Sequence, residues 1–322
     1  MEKVINDPVL SAFELPLHSV LYPYGFPLVL ETNSPDVIAA ASEGWGAFDQ
    51  AFDGPPVRLC LGVLEGSGEA LPLESVVRSR EHMMSIVADP ENFVVCDFNR
   101  GYAFGWVTQN TAADHPLLRY RFLLSGATTL IEQRAFAALH GALVVRSGRG
   151  VMLAGDSFAG KSTLSYACAR AGWTYVSDDG VLLVRGRDDR YAIGDPYSIR
   201  FRPDAPQLFP ELSDRLVTIR PNGKVAIELS TSDLELDTAP GCVVDHIVFL
   251  NRSEAVAARL REMSRERVWH EWADFASFGT KETRAAQHRC RERMLGAQLW
   301  EMQYSDLDDA VARLERLVDS GA

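Results

Sequence analysis

The sequence predicts an α/β protein: a P-loop-containing α/β domain over residues 126–322, preceded by a strand-rich α+β domain over residues 1–125. Three observations predict it. Gly155-Asp156-Ser157-Phe158-Ala159-Gly160-Lys161-Ser162 fits the pattern of a glycine, four free positions, a glycine, a lysine and a hydroxyl residue. The apolar run at residues 151–154 enters this loop as a buried strand, and Leu164, Ala167, Cys168 and Ala171 leave it at helical spacing. Trp173-Thr174-Tyr175-Val176 then reads as a second strand, closed by the acidic pair Asp178-Asp179.

In chain order, residues 26–31 are a largely apolar run, and Ser34 and Pro35 cap and begin a helix that continues to Trp45. Residues 58–64, 92–96 and 102–108 read as strands, with Asn99-Arg100-Gly101 turning between the last two. Nothing in this first part has catalytic spacing, and His18, His82 and His115 read as isolated structural or surface side chains. From Thr128 the helical pattern TTLIEQRAFAALH leads to His140-Gly141, a strand at 142–145 and a turn at Ser147-Gly148 that returns into the loop strand. Gly172 stands where a glycine would end the helix after the loop. Residues 181–185 and 197–201 read as strands, 204–212 as a proline-containing loop, and 216–229 as a hairpin through Pro221-Asn222-Gly223. Residues 243–250 form a buried strand, and 306–318 a helix with Leu307, Ala310, Leu314 and Leu317 on one face. The nine arginines of residues 252–293, interleaved with glutamates, read as a salt-bridge-laced helical surface, and Trp269 and Trp272 as packing residues.

The chain's 322 residues suffice for two ordinary domains. A net charge of -12 argues against nucleic acid and anionic membrane surfaces as partners, since both reward clustered positive charge. The five cysteines are scattered and form no CxxC pair, which points to reduced thiols in a cytoplasmic protein. MEKVINDPVL lacks the basic-then-apolar order of a secretory signal, and no apolar run has the length to span a bilayer.

The loop supplies most of the candidate site. Gly155 and Gly160 let the backbone curl so that the N–H groups of Asp156, Ser157, Phe158 and Ala159 turn toward phosphate oxygens. Lys161 adds a point charge, Ser162 a hydroxyl for Mg²⁺, and Thr163 follows within the first helical turn, where the helix dipole favours an anion. Transfer of a phosphoryl group also needs a carboxylate near the metal and, for an alcohol acceptor, a base. Asp178 and Asp179 end the next strand, and strand ends in α/β sheets face the same crevice. A hairpin would bring His140 there too, where an imidazole would stabilise phosphate charge; alone it reads as a helix-end histidine.

The block from His140 to Asp179, with its His-Gly, its GDSFAGKS loop, its glycine-terminated helix and its Asp-Asp pair, resembles the catalytic domain of HPr kinase/phosphorylase. The resemblance implies a fold related to phosphoenolpyruvate carboxykinase and an ATP-dependent, Mg²⁺-using kinase acting on a serine-type hydroxyl. It implies that Lys161 and Ser162 bind phosphate and metal, that Asp178 is the base, Asp179 a metal-side carboxylate, and that His140 and Arg200 belong to the active site. The chain departs from the family at Phe158, where the family has glycine, and at Ser198-Ile199-Arg200-Phe201, where Ser198 replaces the glutamate of Glu-Ile-Arg-Gly. Asp195 would replace that carboxylate only if the strand bulged. Arg220-Pro221-Asn222-Gly223-Lys224 is a faint echo of the family's acceptor loop, and residues 1–125 show no resemblance.

The expected function is therefore a kinase that passes the γ-phosphoryl group of ATP to a hydroxyl on a small protein, peptide or small molecule, and the resemblance implies a homo-oligomer. The alternative is a nucleotide-sensing or peptide-binding module that keeps the loop but little catalytic activity.

Overall fold

The computed structural model describes residues 14–66, 68–72, 74–253, 257–272 and 278–319, so MEKVINDPVL lies outside the described residues. The chain divides into two units: Met1–Arg134 with Arg220–Lys224 and Phe278–Lys281, and Ala135–Ile219 with Val225–Ser277 and Glu282–Ala322.

Among its described residues the first unit is a mixed seven-stranded sheet in the order β1-β2-β3-β7-β6-β5-β4. The strands are β1 (Leu17–Leu21), β2 (Leu28–Thr32), β3 (Val57–Leu64), β4 (Val76–Arg80), β5 (Met83–Asp89), β6 (Asn92–Asp97) and β7 (Tyr102–Thr108). β2, β3 and β7 run parallel, while the remaining pairs are antiparallel. Between β2 and β3 lies α1 (Pro35–Trp45), started where the sequence places it: the Asp36 amide donates to the Ser34 hydroxyl at 3.2 Å. After β7 come α2 (Gln109–Ala113), α3 (His115–Leu118) and α4 (Leu124–Ala135).

α4 corrects two expectations. It buries Ala127, Leu130 and Ile131, and Gly126 lies against Val94 and Leu59, so it packs with the first sheet and the division falls after Arg134 instead of near residue 125. The helix also ends at Ala135; Phe136–His140 is a strand, β8, whose Phe136, Ala137 and Leu139 are buried. His140 thus sits at a strand end, not a helix end.

The second unit carries β9 (Ala142–Arg146), β10 (Arg149–Ala154), α5 (Lys161–Arg170), β11 (Thr174–Ser177), β12 (Gly180–Val184), β13 (Tyr191–Ile193), β14 (Ser198–Phe201), β15 (Val217–Ile219), β16 (Val225–Ser230), β17 (Gly241–Arg252), β18 (Arg259–Glu262), α6 (Arg265–Glu271), α7 (Lys281–Met294), β19 (Gln298–Tyr304) and α8 (Leu307–Asp319). Among the described residues, nine strands form one sheet, β11-β9-β10-β17-β13-β12-β8, with β19 beside β17 and β18 beside β19; β14-β16-β15 is a separate small sheet. β10, β17 and β19 run parallel, and β9 returns antiparallel to β10 through Ser147-Gly148. Arg259-Leu260-Arg261-Glu262 is a strand, not the helix its charge pattern suggests, because its backbone pairs with β19.

Both faces of the central strands are buried, which is why they read as unbroken apolar runs. Leu143, Met152, Ile247 and Phe249 face Val268, Trp272, Cys290 and Met294 from α6, the residue that follows it, and α7. Val144, Val151, Leu153, Val248 and Leu250 face Leu164 and Cys168 of α5 and Ala310, Leu314 and Leu317 of α8. Each Val, Leu, Ile, Phe or Met among them contributes about 1.5–3 kcal/mol by leaving water. This two-sided packing fixes the strand ends from which the site is built. All five cysteines are free, and among the described residues no helix is long and apolar enough to cross a membrane.

Candidate functional site

Residues 155–160 connect the end of β10 to the start of α5. Two glycines permit the path. Gly155 has φ 134° and Gly160 φ 97°, and a Cβ on Gly160 would stand 2.4 Å from the Tyr304 hydroxyl oxygen. No side chain caps α5, so its first amides are open to the loop that precedes them. The Tyr304 hydroxyl, at the end of β19, donates to the Ala159 carbonyl at 2.9 Å and fixes the second half of the loop.

Lys161 is buried, and its ammonium donates to the Gly155 carbonyl at 2.8 Å and the Asp156 carbonyl at 2.9 Å. Burial lowers its pKa, opposed by the charges of Asp179 and Asp156. Ser162, on the first turn of α5, donates its hydroxyl to the Asp178 carbonyl at 3.4 Å, which links the loop helix to the acidic pair. Thr163 occupies the same turn of α5, partly buried.

The two carboxylates differ. Asp178 is 6% exposed, and its carboxyl pKa is raised to about 6: burial pushes it up, the Arg200 charge and amide and the Tyr175 hydroxyl pull it down, and the neighbouring Asp179 charge pushes it up again. Its Oδ2 accepts from the Arg200 amide at 3.2 Å. Asp179 is 57% exposed, and its Oδ1 lies 3.1 Å from His140 Nδ1, which also donates to the Asp179 carbonyl at 3.0 Å. That contact follows from the sheet: β8 pairs with β12 so that His140 stands opposite Gly180.

Arg200 closes the arrangement. Its guanidinium lies 3.9 Å from Asp179 Oδ2 and donates to Glu228 Oε1 at 2.9 Å. Burial would lower its pKa, but Asp178, Glu228, Asp179 and Asp195 together raise it. The structure therefore brings together Lys161, Ser162, Asp178, Asp179, His140 and Arg200. The turn Arg220–Lys224 is not among them; it belongs to the first unit, where Asn222 donates to the Tyr120 hydroxyl at 3.3 Å.

No family model matches the chain, and no curated protein matches it. Among solved structures it is similar to the Hpr(Ser) kinase/phosphatase from Coxiella burnetii, at 16% identity over 57% of this chain and 99% of that one, with a TM-score of 0.30.

Three side chains of the site are not apparent from sequence spacing. Glu228 is brought to Arg200 by the β14–β16 register, which pairs the two residues directly. It meets the arginine where the carboxylate at position 198 is absent. Asp195 is otherwise engaged: its Oδ2 accepts from the Ser198 hydroxyl at 2.8 Å and its Oδ1 from the Tyr197 amide at 3.1 Å. Tyr175 is fully buried, donates to the Ser198 carbonyl at 3.0 Å and supports Asp178; Tyr304 holds the loop. Strand alternation is the only local signal for Glu228, and it becomes a contact with Arg200 only through the pairing of β14 with β16.

Phe158 is 76% exposed and has φ 73°, a conformation unfavourable for any side chain with a Cβ. Its ring lies under the Arg202 guanidinium, 4.7 Å from the ring centroid.

Proposed function

We propose that the chain is an ATP-dependent phosphotransferase that delivers the γ-phosphoryl group to a hydroxyl on a small protein, peptide or small molecule. The observation that carries this reading is the joining of the Gly155–Gly160 loop and Lys161 to a buried carboxylate, Asp178, through Ser162.

The donor set fits a triphosphate with a divalent cation. The loop offers backbone amides, the uncapped start of α5 and one ammonium, all suited to phosphate oxygens. The Ser162 hydroxyl and the exposed Asp179 carboxylate are hard oxygen donors that would hold Mg²⁺, an ion that binds through one or two carboxylates and substrate phosphates. Bound there, Mg²⁺ supplies neutralisation of phosphate charge.

The residues divide the remaining work. Asp178 has a carboxyl pKa of about 6, so at neutral pH it is ionised and only weakly basic, the state in which it accepts a proton from an acceptor hydroxyl. The Arg200 amide orients that carboxylate, while the Arg200 guanidinium adds positive charge between Asp179 and Glu228. His140 fixes the Asp179 backbone and side chain together. Lys161 exchanges its internal carbonyl partners for phosphate oxygens, which costs little because both are neutral acceptors.

A second reading is a nucleotide-sensing module, favoured by Ser198 standing where a carboxylate is expected and by Arg200 being held by Glu228. Calorimetric titration with Mg-ATP beside a turnover assay over a broad acceptor panel separates the two. Binding with transfer supports the kinase, and tight binding without transfer or hydrolysis supports the sensor.

A further inference from the structure

Phe158 combines two unfavourable features, a left-handed backbone and an apolar ring left largely in water. Glycine at this position would remove both, so neither folding nor solubility accounts for the side chain. What the ring does is hold a cation: the Arg202 guanidinium lies 4.7 Å from its centroid.

An aromatic face positions a guanidinium without using its N–H donors, because the ring offers no lone pair in the guanidinium plane. The other polar partner of Arg202 among the described residues is Asp204, at 3.9 Å and itself 61% exposed. At that distance Asp204 makes no hydrogen bond to it, and no side-chain hydrogen bond engages the Arg202 guanidinium among the described residues, so its donors can take a further anion. Arg200, two residues earlier, contrasts with it, since its guanidinium is committed to Glu228 at 2.9 Å and faces Asp179. Two residues apart at the end of β14, Arg200 thus meets the acidic pair and Arg202 the rim of the loop.

We propose that Phe158 and Arg202 form an anion clamp: Phe158 holds the guanidinium at the rim of the loop, and Arg202 donates to the terminal phosphoryl oxygens of a nucleoside triphosphate. The pair determines specificity for triphosphate over diphosphate. This inference rests on the nucleotide reading of the loop given above. Arg202 is the contacting residue, and Phe158 is a positioning residue that acts through it.

The test is calorimetric titration of the full chain with Mg-ATP and with Mg-ADP, using wild type, Arg202→Met, Arg202→Lys, Phe158→Leu and Lys161→Ala, with circular dichroism to establish that each is folded. Arg202→Met is expected to weaken ATP binding about tenfold while changing ADP binding less than about twofold. Phe158→Leu removes the aromatic face and produces a smaller loss with the same ATP selectivity, and Arg202→Lys recovers part of the affinity. Equal losses for ATP and ADP in Arg202→Met, or no loss for either, overturn the clamp while leaving Lys161-dependent nucleotide binding intact. A wild-type chain that binds neither nucleotide overturns the clamp and the phosphotransferase reading together.

Discussion

The Arg200 amide donates to Asp178 Oδ2 at 3.2 Å, so the strand that carries the arginine also aims the buried carboxylate. The two residues are 22 positions apart, and it is the small β14-β16-β15 sheet that presents one to the other. The consequences of this relationship are chemical and thermodynamic, and each is measurable.

Asp178 makes stability depend on pH. Its folded carboxyl pKa, about 6, lies above its ordinary value of 3.8, so the folded state binds more protons in that window. Its contribution is fully present below pH 3.8 and is lost as pH rises through about 6. Asp178→Asn is expected to raise unfolding free energy near pH 7.5 by roughly 1–3 kcal/mol and to flatten the dependence between pH 4 and 7. Urea denaturation across that range checks it, and a parallel pH profile in the variant contradicts the assignment.

On the phosphotransferase reading proposed above, ionisation of the same group sets the rate of transfer. The rate of phosphate transfer at saturating ATP is expected to rise with pH through a midpoint near 6 and then level, since only the carboxylate accepts the hydroxyl proton. Rate measurements between pH 5 and 8 test this. A flat profile contradicts Asp178 as base.

Gly160→Ala is expected to destabilise the second unit by about 1–3 kcal/mol, because its φ of 97° and the Tyr304 hydroxyl both oppose a Cβ. Tyr304→Phe removes that obstacle but releases the Ala159 carbonyl, so the double variant recovers only part of the loss. Thermal denaturation of the three variants measures the coupling.

Lys161→Ala is expected to weaken Mg-ATP binding by at least about 100-fold, the loss of a charged hydrogen-bonding partner of the phosphates. Leu314→Ala serves as contrast: it removes a fully buried side chain from the core beside α5 and lowers stability by about 2–5 kcal/mol. Its ATP affinity under folded conditions is expected to stay within about threefold of wild type. Calorimetry on both variants checks the pair.

The readings that came through from the sequence are those written in short-range patterns. The capped start of α1 at Ser34, the strand–loop–helix order around Gly155 to Lys161, and the Gly172 position after α5 each depend on neighbouring residues, and each is found. Phe136–His140 is a strand although TTLIEQRAFAALH carries helical spacing throughout, because its last five residues gain their ladder from β12. Arg259–Glu262 became a strand by the same override, through β19. The site divides likewise. The loop and the acidic pair lie within 25 residues, from Gly155 to Asp179, but Glu228 and Tyr304 reach it only through sheet register. No local pattern encodes such a partner.

The most direct test of the central claim is transfer of label from γ-labelled ATP to an acceptor panel by wild type and Asp178→Asn, each at saturating Mg-ATP. The account predicts that the variant binds ATP within about threefold of wild type and transfers phosphate about 10²–10⁴-fold more slowly. Equal transfer by the two proteins would contradict it.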